Sequence, residues 1–214
     1  MTEEIELKLL LPDQGNEYDI ISFLGNNGYT ITVIGIQINR DSYLDTDSWQ
    51  LLKHKLALRI RTVNSQRFLT LKSMGKITDG IAKRLELEIP ISENNLSPLQ
   101  ISDITMNEKV TSVVDIDKLH TCVVIQTQRN KFFLSCPDGS TCELVFDRST
   151  FYPAQHNEIS KQNSVSYELE IEFLKGQTRN LDILARILTD TFHLKPSMSS
   201  KFEMAVHAIF VDVI

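Results

Sequence analysis

The chain has 214 residues, and its 22 Lys and Arg residues stand against 28 Asp and Glu residues, which gives a formal net charge of −6 and a pI near 5.4. This length suits one large domain, which we predict over residues 1–214. The acidic balance argues against nucleic acid as a partner, because binding to a phosphate backbone usually needs an excess of basic residues.

The first predicted elements are a strand, a helix and a long strand. Charged and apolar residues alternate strictly over residues 4–11, which indicates a β-strand with one charged face. Residues 16–27 have the apolar spacing of a short helix, and Gly28 follows at the position of a C-terminal cap. Residues 29–45 are rich in β-branched side chains and predict a bent strand. The charged face of the first strand carries Glu4, Glu6 and Lys8.

Three further strands are predicted in the middle of the chain, at residues 56–61, 67–72 and 81–91, because apolar and charged residues alternate there as well. The sequence NSQ between the first two suits a hairpin turn. Residues 96–114 lack clean alternation, and we interpret them as helix and loop. The charged faces of the three strands carry Arg59, Arg61, Lys72, Arg84 and Glu86.

The last third of the chain predicts three strands and two helices. The strands are expected at residues 120–134, 142–147 and 167–173. Residues 178–194 have one apolar stripe at helical spacing, and residues 199–210 predict a final helix. The charged faces of the strands carry Arg129, Asp147, Glu168, Glu170 and Glu172.

Eight strands joined mostly by short turns indicate an α+β chain that is mainly β, with the strands closed into an eight-stranded antiparallel β-barrel and flanking helices. In an antiparallel sheet the charged face usually points to solvent. The alternative to a barrel with a charged interior is therefore a β-sandwich whose charged faces point outward. We predict the opposite, because the apolar stripes of the helices need an apolar outer surface. A charged interior cannot stay dry and unpaired, so it must be wet and bind a ligand.

The kinds of charged residue on these faces indicate that ligand. Carboxylates suit hard cations such as Mg²⁺ or Mn²⁺, whereas Arg and Lys suit phosphoryl oxygens. Both kinds together fit a complex of a divalent cation with a polyphosphate.

The three cysteines, Cys122, Cys136 and Cys142, are an odd number in a chain whose first residues lack the apolar core of a signal peptide. We therefore expect free thiols in a reducing compartment, and a cytoplasmic protein. No apolar run is long enough to span a membrane, so we expect no membrane partner.

The order of these motifs resembles that of the CYTH superfamily, the triphosphate tunnel metalloenzymes. The resemblance runs from Glu4 to about Lys201 and looks closest to the bacterial inorganic triphosphatases. Those relatives often carry a helical CHAD domain after the barrel, and this chain ends without one; they also tend to follow the C-terminal Ser-Lys with Arg-Gly, where this chain has Phe202-Glu203. The motifs are EIELK from Glu4, YLDT from Tyr43, LALRIR to Arg61, TLK to Lys72, KRLELEI around Arg84, QRNK at Arg129, VFDRSTF at Asp147, YELEIEF from Tyr167 and SSK to Lys201.

The resemblance implies a role for each matching residue. A divalent cation, Mg²⁺ or Mn²⁺, would be held by Glu4, Glu6, Glu168, Glu170 and Glu172. Phosphoryl oxygens would be bound by Lys8, Arg59, Arg61, Lys72, Arg84, Arg129 and Lys201. The catalytic set would be Glu4, Glu6, Lys8 and Glu170.

The activity implied by the resemblance is metal-dependent hydrolysis of inorganic tripolyphosphate to diphosphate and phosphate. The alternatives are a thiamine or nucleoside triphosphatase, a class IV-type adenylate cyclase, and a polyphosphate-binding module without turnover. Only 7% of residues are aromatic, and Tyr43 is the one aromatic residue that we place in an inward motif, which favours the inorganic substrate. We expect a small-molecule triphosphate as the binding partner and a monomer or a homodimer.

Overall fold

A computed structural model describes residues 2–13, 15–73, 75–92, 101–154 and 164–210. A short 3₁₀ helix lies at Ile116–Lys118. The strands are β1 (Thr2–Leu11), β2 (Thr30–Asp45), β3 (Leu56–Val63), β4 (Gln66–Ser73), β5 (Lys76–Thr78), β6 (Ile81–Pro90), β7 (His120–Ser135), β8 (Thr141–Pro153), β9 (Ser164–Lys175) and β10 (Lys195–Pro196). The helices are α1 (Asn16–Asn26), α2 (Gln50–Lys53), α3 (Ile104–Thr111), α4 (Arg179–Phe192) and α5 (Lys201–Ile209).

Eight of these strands form a closed barrel. They are hydrogen-bonded in the order β1, β9, β8, β7, β2, β3, β4 and β6, and β6 then pairs with β1 to complete the circle. Every pairing is antiparallel, and the short strands β5 and β10 add to β6 and β1. The predicted eight-stranded antiparallel barrel is confirmed, and the alternative of an open sandwich is wrong.

The apolar outer surface of the barrel lies under the helices. On one side, α1 and α4 bury Ile20, Leu24 and Leu184 against strand residues such as Leu7 and Leu169. On the other side, α2 and α3 cover β3 and β4 through a second cluster. Because strand side chains alternate between two faces, the burial of these apolar residues outside directs the charged residues between them into the barrel. The charged-interior prediction is therefore confirmed.

Helix α5 supplies the third cluster. Phe202 is 1% exposed, and its ring stacks on Tyr43 with centroids 4.6 Å apart and an interplanar angle of 3°. Trp49 packs against Phe202 and Phe210. Ser200 caps the helix by accepting a hydrogen bond from the Glu203 backbone N–H, while the Glu203 carboxylate accepts one from the Ser200 N–H. This cap fixes the start of α5 at Lys201.

The boundaries differ from the predictions mainly in the strands. Strand β8 continues to Pro153, past its predicted end at residue 147. Strand β9 begins at Ser164, before its predicted start at residue 167. The sequence predicts helix and loop over residues 96–114, and the structure has α3 there. Asp103 caps this helix, because its carboxylate accepts a hydrogen bond from the Met106 N–H. Residues 96–100 lie outside the described part of the chain. Over the residues that are described, every helix is too short or too polar to cross a lipid bilayer.

The three cysteines are free, as predicted, and the structure shows that all three are buried. Burial raises the pKa of the Cys122 and Cys142 thiols to about 12, so almost no thiolate forms at neutral pH. We expect an aromatic disulfide reagent to label none of the three in the folded protein and all three after denaturation. A single reactive thiol after denaturation under non-reducing conditions would instead indicate a Cys136–Cys142 disulfide.

Candidate active site

A cavity of about 250 Å³ lies inside the barrel. Among the described residues that line it, seven are carboxylates and seven are cations, so the charged lining is balanced. Most of the residues predicted for the site are among them. The carboxylates are Glu4, Glu6, Glu86, Glu88, Glu143, Glu170 and Glu172, and the cations are Lys8, Arg59, Arg61, Lys72, Arg84, Arg129 and Lys201.

The closure of the barrel brings the first charged group together. Glu4 on β1 stands opposite Arg84 on β6, and Lys72 on β4 stands opposite Glu86 on β6. The ammonium of Lys72 lies 2.8 Å from a carboxylate oxygen of Glu4 and 2.8 Å from one of Glu86. Burial by itself raises the pKa of Glu4, but the charges of Lys72 and Arg84 outweigh it and lower that pKa to about 2. Glu6 forms an ion pair with Arg84.

Glu170 is the shared partner of three cations. It stands opposite Lys8 in the β1–β9 register, and the Lys8 ammonium lies 2.8 Å from its Oε1. Arg129 and Lys201 each contact it at 2.5 Å. Burial alone raises the pKa of Glu170, but Lys201, Lys8 and Arg129 together hold it well below the usual range. The carboxylate is therefore ionised and already neutralised before any ligand binds.

Asp41 on β2 is a site residue that the sequence analysis missed. Both of its oxygens accept from Arg61, at 2.8 Å each, and Arg59 Nη1 lies 3.5 Å from Oδ2. Burial raises the pKa of Asp41, but Arg59 and Arg61 outweigh it and lower the pKa to about 2. Asn39, Asp41 and Tyr43 alternate on the inward face of β2, but the residues between them, Arg40 and Ser42, are polar as well. This segment therefore lacks the contrast of charged and apolar residues that identified the other strands.

Replacing Asp41 with asparagine should lower the free energy of unfolding at pH 7 by about 2 kcal/mol, because the charge that neutralises two guanidiniums is lost. Folding lowers the pKa of Asp41 from 3.8 to about 2. Its contribution to stability is therefore complete above pH 3.8 and is lost as the pH falls through about 2. Urea unfolding at pH 7 measures the effect, and Asp19→Asn on the exposed face of α1 is the control with the same charge change. Equal stability of Asp41→Asn and the wild type would contradict this prediction.

Asp147 and Glu168 lie behind the cavity lining. Asp147 binds Arg129 with both oxygens, at 2.9 and 2.6 Å, and lies 2.9 Å from Lys201. Glu168 is fully buried; it accepts from the Ser197 hydroxyl at 3.2 Å, and its other oxygen lies 3.0 Å from Lys201 without hydrogen-bond geometry. The predicted metal role of Glu168 thus remains a prediction, and the contacts of Glu168 make it a partner of Lys201.

The carboxylates fit a hard divalent cation in their chemistry. Glu172 on β9 stands opposite Glu6 on β1 and Glu143 on β8, so like charges face each other across both neighbouring strands. Burial, and then the charges of Glu4 and Glu143, raise the pKa of Glu172 to about 7. A bound cation would remove this repulsion. Within the described residues no three such side chains converge as a preformed metal site, so a cation would have to draw Glu4, Glu6 or Glu170 from their present Lys and Arg partners.

Tyr43 and Asp45, which belong to the YLDT motif, have structural contacts. The Tyr43 ring is covered by Phe202. Asp45 is fully buried and accepts from the backbone N–H groups of Thr46, Leu51 and Leu52 at 2.8 to 3.0 Å. Asp45 therefore fixes the turn into α2.

A family model described as the CYTH domain matches residues 2–205. An inorganic triphosphatase of Haemophilus influenzae is 25% identical over 185 residues, which cover 85% of this chain and 48% of that protein. The chain thus spans about half the length of this curated relative.

Solved structures share the fold. A Bacillus halodurans protein described as a candidate adenylate cyclase superposes with a TM-score of 0.66 at 23% identity, covering 95% of this chain and 98% of the other. A Hippeastrum protein described as a candidate adenylyl cyclase with a dominant triphosphatase activity has a TM-score of 0.67 at 19% identity, and 98% of each chain is covered. At these identities the likeness concerns the architecture alone.

Proposed function

This chain belongs to the CYTH domain family, and from that premise we propose that it hydrolyses inorganic tripolyphosphate to diphosphate and phosphate with the help of Mg²⁺ or Mn²⁺. The observation that carries the proposal is the small barrel cavity, whose lining contains seven cations and seven carboxylates among the described residues. The name of the Haemophilus influenzae relative, an inorganic triphosphatase, agrees with it.

The charge balance of the cavity supports a metal complex as the ligand. Tripolyphosphate brings several negative charges, and the carboxylates of the lining already neutralise the cations. An unaccompanied polyanion would leave a large net negative charge in a partly buried space, which is costly. Divalent cations entering with the substrate restore the balance. This reasoning favours uptake of metal and tripolyphosphate together.

The size and lining of the cavity favour an inorganic substrate over a nucleotide. Its 250 Å³ lies below the range of about 300–1,000 Å³ for sites that enclose drug-sized organic ligands. The aromatic side chains in the lining, among the described residues, are Tyr43 and Phe202. They are stacked on each other and are only 5% and 1% exposed, so neither offers an open face to a purine or thiamine ring.

The proposed chemistry depends on charge neutralisation and positioning rather than on a covalent intermediate. A bound divalent cation would supply Lewis-acid polarisation of phosphoryl oxygens and a lowered pKa for a coordinated water. Glu4, Glu6, Glu170 and Glu172 would hold the cation, and Lys8 with Glu170 would orient the phosphoryl group beside it. The phosphate chain would be bound by Lys8, Arg59, Arg61, Lys72, Arg84, Arg129 and Lys201.

The side chains that hold these cations in place make the site preorganised. Asp41 fixes Arg59 and Arg61, and Asp147 fixes Arg129. Guanidiniums that already have their orientation lose less conformational entropy when they bind phosphoryl oxygens. The buried free thiols accord with a reducing compartment, and we extend the proposal to a cytoplasmic location.

The test is phosphate release from tripolyphosphate, thiamine triphosphate and ATP, measured in parallel with Mg²⁺, with Mn²⁺ and with chelator, together with assay of cyclic AMP from ATP. Rapid release from tripolyphosphate that disappears with chelator is the expected result. Preference for an organic triphosphate, or formation of cyclic AMP, would contradict the proposed substrate. If no phosphate is released from any of the three substrates but tripolyphosphate binds in the presence of metal, the protein is a binding module.

A further inference from the structure

Among the described residues, the first half of β2 is paired with another strand on one side only. Over residues 30–39, which we call the edge segment, β2 pairs with β7, from Thr30 opposite Ser135 to Asn39 opposite Thr127. Strand β3 pairs with β2 only from Arg40 onward, and no other described residue pairs with the edge segment. One row of its backbone N–H and C=O groups is thus available to another strand.

The edge segment also exposes apolar side chains. Val33 is 72% exposed, Ile34 54%, Ile36 70% and Ile38 47%. Together they present on the order of 400 Å² of apolar surface, a size at which patches on soluble proteins are often functional. The barrel is already closed without this segment, so its burial is not needed for the fold.

We propose that the edge segment pairs antiparallel with the edge segment of a second copy of this chain, across a two-fold axis. The chain carries a net charge of −6, so two copies repel each other over most of their surfaces. Residues 20–39 contain no charged side chain at all. Self-pairing here brings no like charges together, and the same apolar residues meet on both sides of the axis. Strand edges that avoid pairing usually carry Lys or Pro, and the edge segment has neither.

The extent of the segment predicts a weak dimer. Two copies would cover roughly 800 Å² of apolar side chain, below the about 1,200–2,000 Å² of stable interfaces. The register of β2 also shifts between Val33 and Gly35, where a bulge interrupts the edge. The continuous ladder is therefore confined to residues 35–39. Dimerisation should depend on concentration, and added salt should strengthen it by screening the repulsion between the copies.

Sedimentation velocity over a wide range of concentrations, from low micromolar upward, tests the proposal. The wild type should shift from monomer toward dimer, and Ile36→Lys should remain a monomer throughout. Ile104→Lys is the matched control, because Ile104 is 75% exposed but lies on α3, and it should dimerise like the wild type. If Ile36→Lys fails to fold by circular dichroism, hydrogen exchange of the wild type replaces it. Those amides of residues 35–39 that do not bond to β7 should gain protection as concentration rises.

The inference is overturned if the wild type stays monomeric, if Ile36→Lys dimerises as well as the wild type, or if the amides of residues 35–39 exchange equally at all concentrations. It does not rest on the proposed hydrolysis. A dimer without triphosphatase activity would support this inference and contradict only the proposed function.

Discussion

Replacing Glu4 with glutamine should lower kcat for tripolyphosphate by at least about 100-fold, since even the partners of metal ligands affect activity by about 10–100-fold. Glutamine keeps the volume of the side chain but removes the charge that Lys72 and Arg84 now hold ionised. The variant should fold normally, because Lys72 keeps its second partner, Glu86. Steady-state kinetics at several Mg²⁺ and Mn²⁺ concentrations measure both the rate and the apparent metal affinity.

Glu3→Gln is the matched control for this variant. Glu3 is the adjacent residue of β1, its side chain is exposed, and the substitution removes the same charge. It should leave kcat and metal affinity unchanged. A Glu4→Gln enzyme with full activity and the wild-type response to Mg²⁺ would show that Glu4 holds no metal during turnover.

The strands were predictable because period-two alternation of charged and apolar residues is a strong local signal. Closure of the barrel was predictable only through an argument about which face the helices cover. No local sequence pattern indicates that β1 pairs with β6. The inward direction of residues such as Arg59 and Glu170 followed from that argument. Individual contacts did not, because they depend on the register of strands far apart in the chain.

Asp41 and Glu168 illustrate what the sequence could not reveal. Asp41 lies between Arg40 and Ser42, so no contrast between a charged and an apolar face marked its inward direction in advance. Glu168 shares the alternation of Glu170 and Glu172 and was predicted to act as they do. Its separate position follows from the packing of α5, which brings Lys201 against it. A pattern within one strand cannot distinguish a lining residue from one covered by a distant helix.

Replacing Lys201 with methionine should lower the free energy of unfolding by about 3–5 kcal/mol, because it leaves the buried Glu168 carboxylate without a cation. The Lys201 side chain is 11% exposed and lies within 3.0 Å of Asp147, Glu168 and Glu170. Burial lowers its pKa, but these three charges outweigh it and raise that pKa, so the ammonium is charged throughout the neutral range. For a domain of this size the melting temperature should fall by roughly 10 °C.

A second substitution separates the structural role of Lys201 from phosphate binding. Arg129 remains beside Asp147 and Glu170 in Lys201→Met, whereas Glu168 loses the one cation that lies within 4 Å of it among the described residues. Adding Glu168→Gln should therefore restore most of the lost stability, with a large coupling energy in the double-mutant cycle. KM for tripolyphosphate should stay high in the double variant, because the ammonium that faces the cavity is still missing. Recovery of both stability and KM would instead mean that Lys201 only holds α5 against the barrel.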